Sequence, residues 1–179
     1  IDQARFFRTK YITADTLAIL QRYQAAYVIA PSDSDLNLQL QLATDWFTWL
    51  EDDGGYSLYA VHAAPGETPT LLGNAALLQR LWPTAEAHFQ TALSQNPHDL
   101  LAKYGQAEIA HMRGQFTEAV TLLQEAAAQS AQPFLHYRLG QLYAEVGQFD
   151  QSIAEFSAAQ QAAPTLPHFQ LALGDACLN

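Results

Sequence analysis

The chain is poor in several things that would narrow its chemistry. One cysteine, Cys177, stands among 179 residues, which excludes an internal disulfide framework and a cysteine-rich metal site while leaving the redox compartment open. Basic residues are scarce, 8 against 18 acidic ones, for a formal charge of −10. Both ends of the chain share that acidity, so the surface repels phosphate backbones and nucleic acid is excluded as a partner. Long apolar runs are missing as well. The strongest, "AAYVIA", is far too short to cross a bilayer, so membrane attachment is expected only through a region before Ile1. The opening "IDQARFFRTK" carries no signal-peptide pattern, and "PHFQLALGDACLN" breaks off inside a helical pattern. The chain reads as a fragment of a longer protein.

Catalytic signatures are equally thin. The "DDGG" at 52–55 lacks the lysine and helix start of a phosphate loop and reads as a turn. The six histidines, at 62, 88, 98, 111, 136 and 168, never pair at i, i+4, so a metal would need ligands converging from distant segments. Asp33, Asp35, Asp52 and Asp53 lack the spacing and terminal glutamate of a calcium loop. Ser32 and Ser34 have no identifiable base, and Cys177 reads as a packing residue. No catalytic residue, cofactor or metal is expected.

What is present is a repeat. "RGQFTEAVTLLQEAA" from Arg113 returns 33 residues after Gly114 as "GQFDQSIAEFSAAQ" from Gly147. Small residues recur at Gly73, Ala107, Gly140 and Gly174, then at Ala85, Ala119 and Ser152, and at Ala92, Ala126 and Ala159. Aromatics fall at Trp82, Phe116 and Phe149, and Phe89, Leu123 and Phe156 lie between the small ladders. Each unit reads as two amphipathic helices, in which small residues allow close approach and the first aromatics fill space near the turn. Gly114 and Gly147 suit helix ends. Pro83, Thr117 and Asp150 are expected to start second helices by fixed φ or by capping.

This phased pattern resembles the tetratricopeptide repeat (TPR) family over "LLGNAALLQRLWPTAEAHFQTALSQNP", "GQAEIAHMRGQFTEAVTLLQEA" and "RLGQLYAEVGQFDQSIAEFSAAQQAAP". Arg80 departs from it by replacing the turn glycine of the first unit, and Ser152 by replacing an alanine. The fold class expected is mainly α: a TPR-type helical-hairpin solenoid preceded by a small α/β unit. The solenoid spans 66–179, with repeats at about 66–99, 100–132 and 133–166 and a truncated fourth helix at 167–179.

Residues 1–64 lack the period. "ITADTLAILQRYQ" reads as a helix opening near Thr13 or Asp15, "AAYVIAP" as a buried strand ending at Pro31, and "WFTWLEDDGGYSLYAVHA" as a C-terminal β-hairpin. In "DLNLQLQLATD", Leu36, Leu38, Leu40 and Leu42 alternate as in a strand. Helix-forming Leu and Gln after the capping stretch "PSDSD" favour a helix instead. The phrases "LAILQRYQAAYVIAP" and "DWFTWLEDDGGYSLYAV" are similar to the extracytoplasmic tail of polytopic membrane glycosyltransferases of the dolichyl-phosphate-mannose-protein mannosyltransferase-like kind. That resemblance implies a tail on the far side of a membrane and transfers no catalytic residue. A free adaptor would instead be cytoplasmic.

The TPR resemblance implies a concave groove lined by first helices, with Asn74, Leu78, Tyr104, Glu108, His111, Phe134, Tyr137, Arg138, Gln141 and Glu145 on or near it. Tyr104 and Tyr137 either form an aromatic strip there or pack between helices. Family members that grip acidic C-termini use a lysine–asparagine set with later basic residues. Only Asn74 and Arg138 match, with Thr70, Gly105 and Phe134 in the other places. The function expected is therefore protein–protein interaction, with a basic or aromatic-apolar segment as partner. Two alternatives stand beside it: the membrane-enzyme tail, and a small-molecule pocket of Trp46, Trp49, Tyr56 and Tyr59 in the α/β unit.

Overall fold

Thr13 opens the first helix among the described residues, α1 (Ala14–Arg22), with a reciprocal cap: its hydroxyl accepts from the Thr16 N–H, and the Thr16 hydroxyl oxygen accepts from the Thr13 N–H at 2.6 Å. Asp15 in the first turn and Arg22 in the last suit the helix dipole. The computed structural model describes residues 10–62, 67–130 and 132–177, so the repeat start expected at 66 lies outside the described residues. The chain divides into two compact units, Ile1–Gly105 and Gln106–Asn179.

In the first unit, α1 leads to strand β1 (Tyr27–Pro31), helix α2 (Asp35–Leu42) and the hairpin β2 (Phe47–Asp52) and β3 (Tyr56–Val61). The strands form an antiparallel sheet of order β1-β3-β2, with a bulge between Trp49 and Glu51. Gly54 takes a φ of 91° in the hairpin turn. There the Asp53 carboxylate accepts from the N–H groups of Gly55 and Tyr56, which hold its pKa below the ordinary value.

The alternating leucines form α2, a helix capped by the Ser34 hydroxyl, which accepts from Asn37 N–H at 3.1 Å. Every residue from Leu36 to Leu42 is buried. A helix enclosed on all sides has no polar face to impose a 3.6-residue period, so its polar side chains serve as internal connectors. Asn37 donates to Ser32 O at 2.8 Å and accepts from the Tyr59 hydroxyl, while Gln39 accepts from Ile12 N–H and from Asn74 Nδ2. Burial drives the Tyr59 phenol far above its ordinary pKa and keeps it a donor.

Seven further helices follow among the described residues: α3 (Pro69–Leu78), α4 (Trp82–Gln95), α5 (Leu100–Met112), α6 (Phe116–Gln129), α7 (Pro133–Glu145), α8 (Phe149–Ala162) and α9 (Pro167–Cys177). The small residues do what their spacing implies except at Gly174, which is exposed and where an added Cβ would meet nothing within 4 Å. A Cβ on Gly140 would lie 2.6 Å from the Phe156 ring, and a Cβ on either Gly73 or Gly105 would run into Phe89. Ala85, Ala92, Ala119, Ala126 and Ala159 are buried beside Phe89, Leu123 and Phe156 in the same helices. Ser152 spends its hydroxyl on Gly140 O at 2.9 Å, so its departure from alanine is accommodated by a hydrogen bond.

Two local expectations are corrected. Phe149 is 37% exposed, and Trp82 and Phe116 are only half-buried, because each is the first residue of its helix and stands at the rim. Thr117 and Asp150 do not cap: the capping positions are Gln115 and Gln148, which make no side-chain cap bond. The turn itself repeats in all three hairpins. Gly114 and Gly147 both take φ +74°, and Arg80 adopts the same left-handed conformation at φ 58°. Leu81 N–H then reaches Ala76 O at 2.9 Å, as Gln115 reaches Ala110 O and Gln148 reaches Tyr143 O. The turn geometry therefore dominates over the side-chain preference, at a cost of about 1 kcal/mol at Arg80. Arg80→Gly is expected to raise stability by about that amount, read as a higher urea midpoint; an unchanged or lower midpoint would remove the strain from the account.

Candidate protein-interaction site

The residues expected along the first helices separate by burial. In the first unit, Asn74 is completely enclosed, with Nδ2 donating to Ile12 O at 2.8 Å and to Gln39 Oε1 at 3.1 Å. It binds the first hairpin to the α/β segment and presents nothing to solvent. Tyr104 is likewise 2% exposed and packs as core. Leu78 is the exposed member, at the side of a shallow pocket of about 330 Å³ that Leu71, Leu72, Asp15 and Glu67 also line.

In the second unit, α7 carries the larger share. Phe134 is buried in an edge-to-face contact with Phe169, ring centroids 5.1 Å apart. Tyr137 is half-buried against Phe156 at 5.6 Å and Phe169 at 5.2 Å, so its ring is partly core and partly surface. Arg138 donates from Nη2 to Glu108 Oε1 at 2.5 Å and from Nη1 to Gln141 Oε1 at 2.7 Å. His111 Nε2 and Glu145 Oε2 lie 2.7 Å apart. Glu108 is itself 4% exposed, so it serves to hold Arg138 in place instead of facing a ligand.

Tyr137, Arg138, Gln141 and Glu145 line one pocket of about 390 Å³, closed by Phe149 and Phe156 of α8 and by Ala172 and Asp175 of α9. Asp175 was not among the residues expected from sequence, although the repeat contained the signal: Gly140 and Gly174 are equivalent, so Gln141 and Asp175 are too. Side chains that the repeat register places one repeat apart, on α7 and α9, line a common space here.

Elsewhere the aromatics of the α/β unit differ in burial, with Trp49 opposite Tyr59 in the β2–β3 register. Tyr59 is fully buried, whereas Tyr56, three positions earlier on β3, is 56% exposed on the opposite sheet face. Trp49 is exposed on β2 beside the bulge. Ser32 donates to Asp52 Oδ2 at 2.6 Å, and Ser57 bonds the same oxygen, a carboxylate satisfied by structural partners. Among the described residues, no group of three or more His, Cys, Asp or Glu side chains is gathered as for a metal, and no helix is long and apolar enough to cross a membrane.

A family model described as tetratricopeptide repeat matches residues 70–133 and 137–179. No curated protein matches. Among solved structures, a thermophilic TPR protein of Thermus thermophilus is similar at 20% identity and TM-score 0.56, covering 62% of this chain and 63% of that one. The type III secretion chaperone SycD of Yersinia enterocolitica, in complex with a peptide of the translocator YopD, is similar at 14% identity and TM-score 0.57, covering 62% of this chain and 90% of SycD. The first TPR of Spaghetti (RPAP3), bound to the HSP90 peptide SRMEEVD, is similar at 13% identity and TM-score 0.56, covering 62% and 88%. The chain thus spans less than two thirds of the length of the Thermus protein.

Proposed function

Since the chain belongs to the tetratricopeptide repeat family, we propose that this protein-interaction module takes a partner segment on the α7–α8–α9 pocket of the second unit. The observation that carries this reading is the pocket itself: a half-exposed tyrosine, a fixed arginine, an amide and a carboxylate brought together by three successive helices. SycD and the Spaghetti domain are both seen with peptides, which supports a peptide as the class of ligand. The lysine–asparagine grip for acidic tails is a poor fit, since Asn74 is enclosed and Arg138 is committed to Glu108 and Gln141. A basic or aromatic-apolar segment suits the remaining surface.

Selecting peptides from a random display library against the full chain tests this. The Gln141→Ala, Glu145→Ala double variant is expected to lose about tenfold or more in affinity for the selected peptides while keeping its helical melt. Peptides that bind the variant and the parent equally would sink the pocket as the docking site.

A second reading has its own support. The order helix, strand, helix, strand, strand over Ala14–Val61 is the one expected for a glycosyltransferase-type extracytoplasmic tail, in which the module would recruit partners for a membrane-bound enzyme. Cell fractionation with an antibody to this chain tests that reading. A large band retained by membranes through an alkaline wash supports it, and a small soluble band removes it.

A further inference from the structure

We infer that the outer face of the β1-β3-β2 sheet seats a second copy of this chain, a contact independent of the pocket in the second unit. The inner face is closed: Val28 and Tyr59, and Ala30 and Ser57, pair across the β1–β3 ladder and are buried. Residues paired across a ladder share a face. The outer face therefore carries Tyr27 opposite Ala60, Ile29 opposite Leu58 and Pro31 opposite Tyr56. A solvated antiparallel face ordinarily alternates to polar residues. None of these side chains is charged, and Tyr27, Ile29 and Tyr56 stand 62%, 54% and 56% exposed. A contiguous apolar face left open in this way marks a contact surface.

The occupant follows from the register. The large rings stand at diagonal corners, Tyr27 on β1 and Tyr56 on β3, with the compact Ala60 and Pro31 at the other two corners and Ile29 and Leu58 between them. A two-fold axis lying between two such faces and parallel to the strands sets β1 of one copy over β3 of the other. Tyr27 then meets Ala60, Tyr56 meets Pro31 and Ile29 meets Leu58, so the face is complementary to itself. Strand β2 lies beyond β3 and falls outside this overlap. Its Glu51, which shares the outer face with Leu58, keeps its water at the rim. An axis across the strands would instead stack Glu51 on Glu51. For a chain of net charge −10, an uncharged face is also where two copies approach with least repulsion. The face offers on the order of 500 Å² per copy, and the pair buries about 1,000 Å², the low end for a specific contact.

Sedimentation equilibrium of the full chain in reducing buffer tests this. A monomer–dimer equilibrium is expected, with a dissociation constant of roughly 10–100 μM for so small an interface. Ile29→Lys should weaken it about tenfold or more while keeping the helical melt; if that variant does not fold, Tyr56→Ser reads the same loss. A size swap tests the seating. Ala60→Tyr alone sets ring against ring and should abolish the dimer, and adding Tyr27→Ala should restore it, because ring and small residue have only changed places. A chain that stays monomeric at millimolar concentration would overturn the inference and leave the face to another segment or another protein. A dimer that survives both Ile29→Lys and Tyr56→Ser would overturn it as well, by placing the contact elsewhere. A dimer lost in Ala60→Tyr and not recovered in the double variant would overturn the strand-parallel seating.

Discussion

Phe89→Ala is expected to destabilise the chain by about 3–5 kcal/mol, the cost of deleting a fully enclosed ring. The Phe89 side chain has no exposed surface, and its ring occupies the space that Cβ atoms on Gly73 and Gly105 would need. Two helices, α3 and α5, are thus shaped around one side chain of α4. No neighbouring side chain at either glycine can swing in to refill the space, so the cavity stays largely open and the loss falls at the upper end of that range. The inverse substitution is instructive: Gly105→Ala forces the ring aside and should itself cost about 1–3 kcal/mol. Urea melts of the three proteins check both, and a Phe89→Ala midpoint close to that of the parent would mean the ring is not packed as described.

Glu108→Ala carries the second large effect, a loss of about 3 kcal/mol. Its side chain is 5% exposed and that of its partner Arg138 20% exposed, so removing the acid takes a close carboxylate from a guanidinium that water reaches only in part. The double substitution Glu108→Ala, Arg138→Leu should recover much of the loss, because no charge is left behind. A double-mutant cycle by chemical denaturation measures the coupling. If each single variant cost less than about 1 kcal/mol, the pair would be behaving as a surface ion pair, and the fixed orientation of Arg138 at the pocket would lose its support.

The repeat was legible because it is written in steric exclusions. Gly73, Gly140, Ala85, Ala119 and Ala159 recur at fixed spacing since a larger side chain at any of them meets a neighbouring helix or ring, and that requirement is visible in one sequence. Gly105 reads from sequence only as the occupant of a clamp position, because it packs on Phe89 from the following repeat, outside the ladder anchored on the turn glycines. The groove was harder to read. Tyr104 and Tyr137 lie at nearly equivalent positions, yet one is core and the other half-surface, a difference set by which neighbours surround each helix and not by its own pattern. Asn74 looked like a surface asparagine of a peptide clamp. It is enclosed because the segment before the repeats supplies Ile12 O and Gln39 as its acceptors, and nothing in the asparagine's own neighbourhood announces partners 62 and 35 positions away.

The enclosed helix α2 also bears on how this protein fails. From Leu36 to Leu42 the chain contains no charge, no proline and no glycine, and its leucines alternate as in a strand, so the tertiary packing of the first unit acts together with the Ser34 cap and the helix propensity of Leu and Gln to keep it helical. On partial opening, a seven-residue stretch with a dry side and an amide-bearing side becomes available for extended pairing, and the glutamines and asparagine can stack in register with their copies in other molecules. Among the described residues, β1 and β2 are the edge strands of the neighbouring sheet. Loss of packing around α2 is therefore expected to favour intermolecular β-assembly over a soluble unfolded chain, which thioflavin fluorescence of a partly denatured sample would check, and a single lysine at Gln39 or Gln41 would act as a gatekeeper against it only by sacrificing the native burial of that residue.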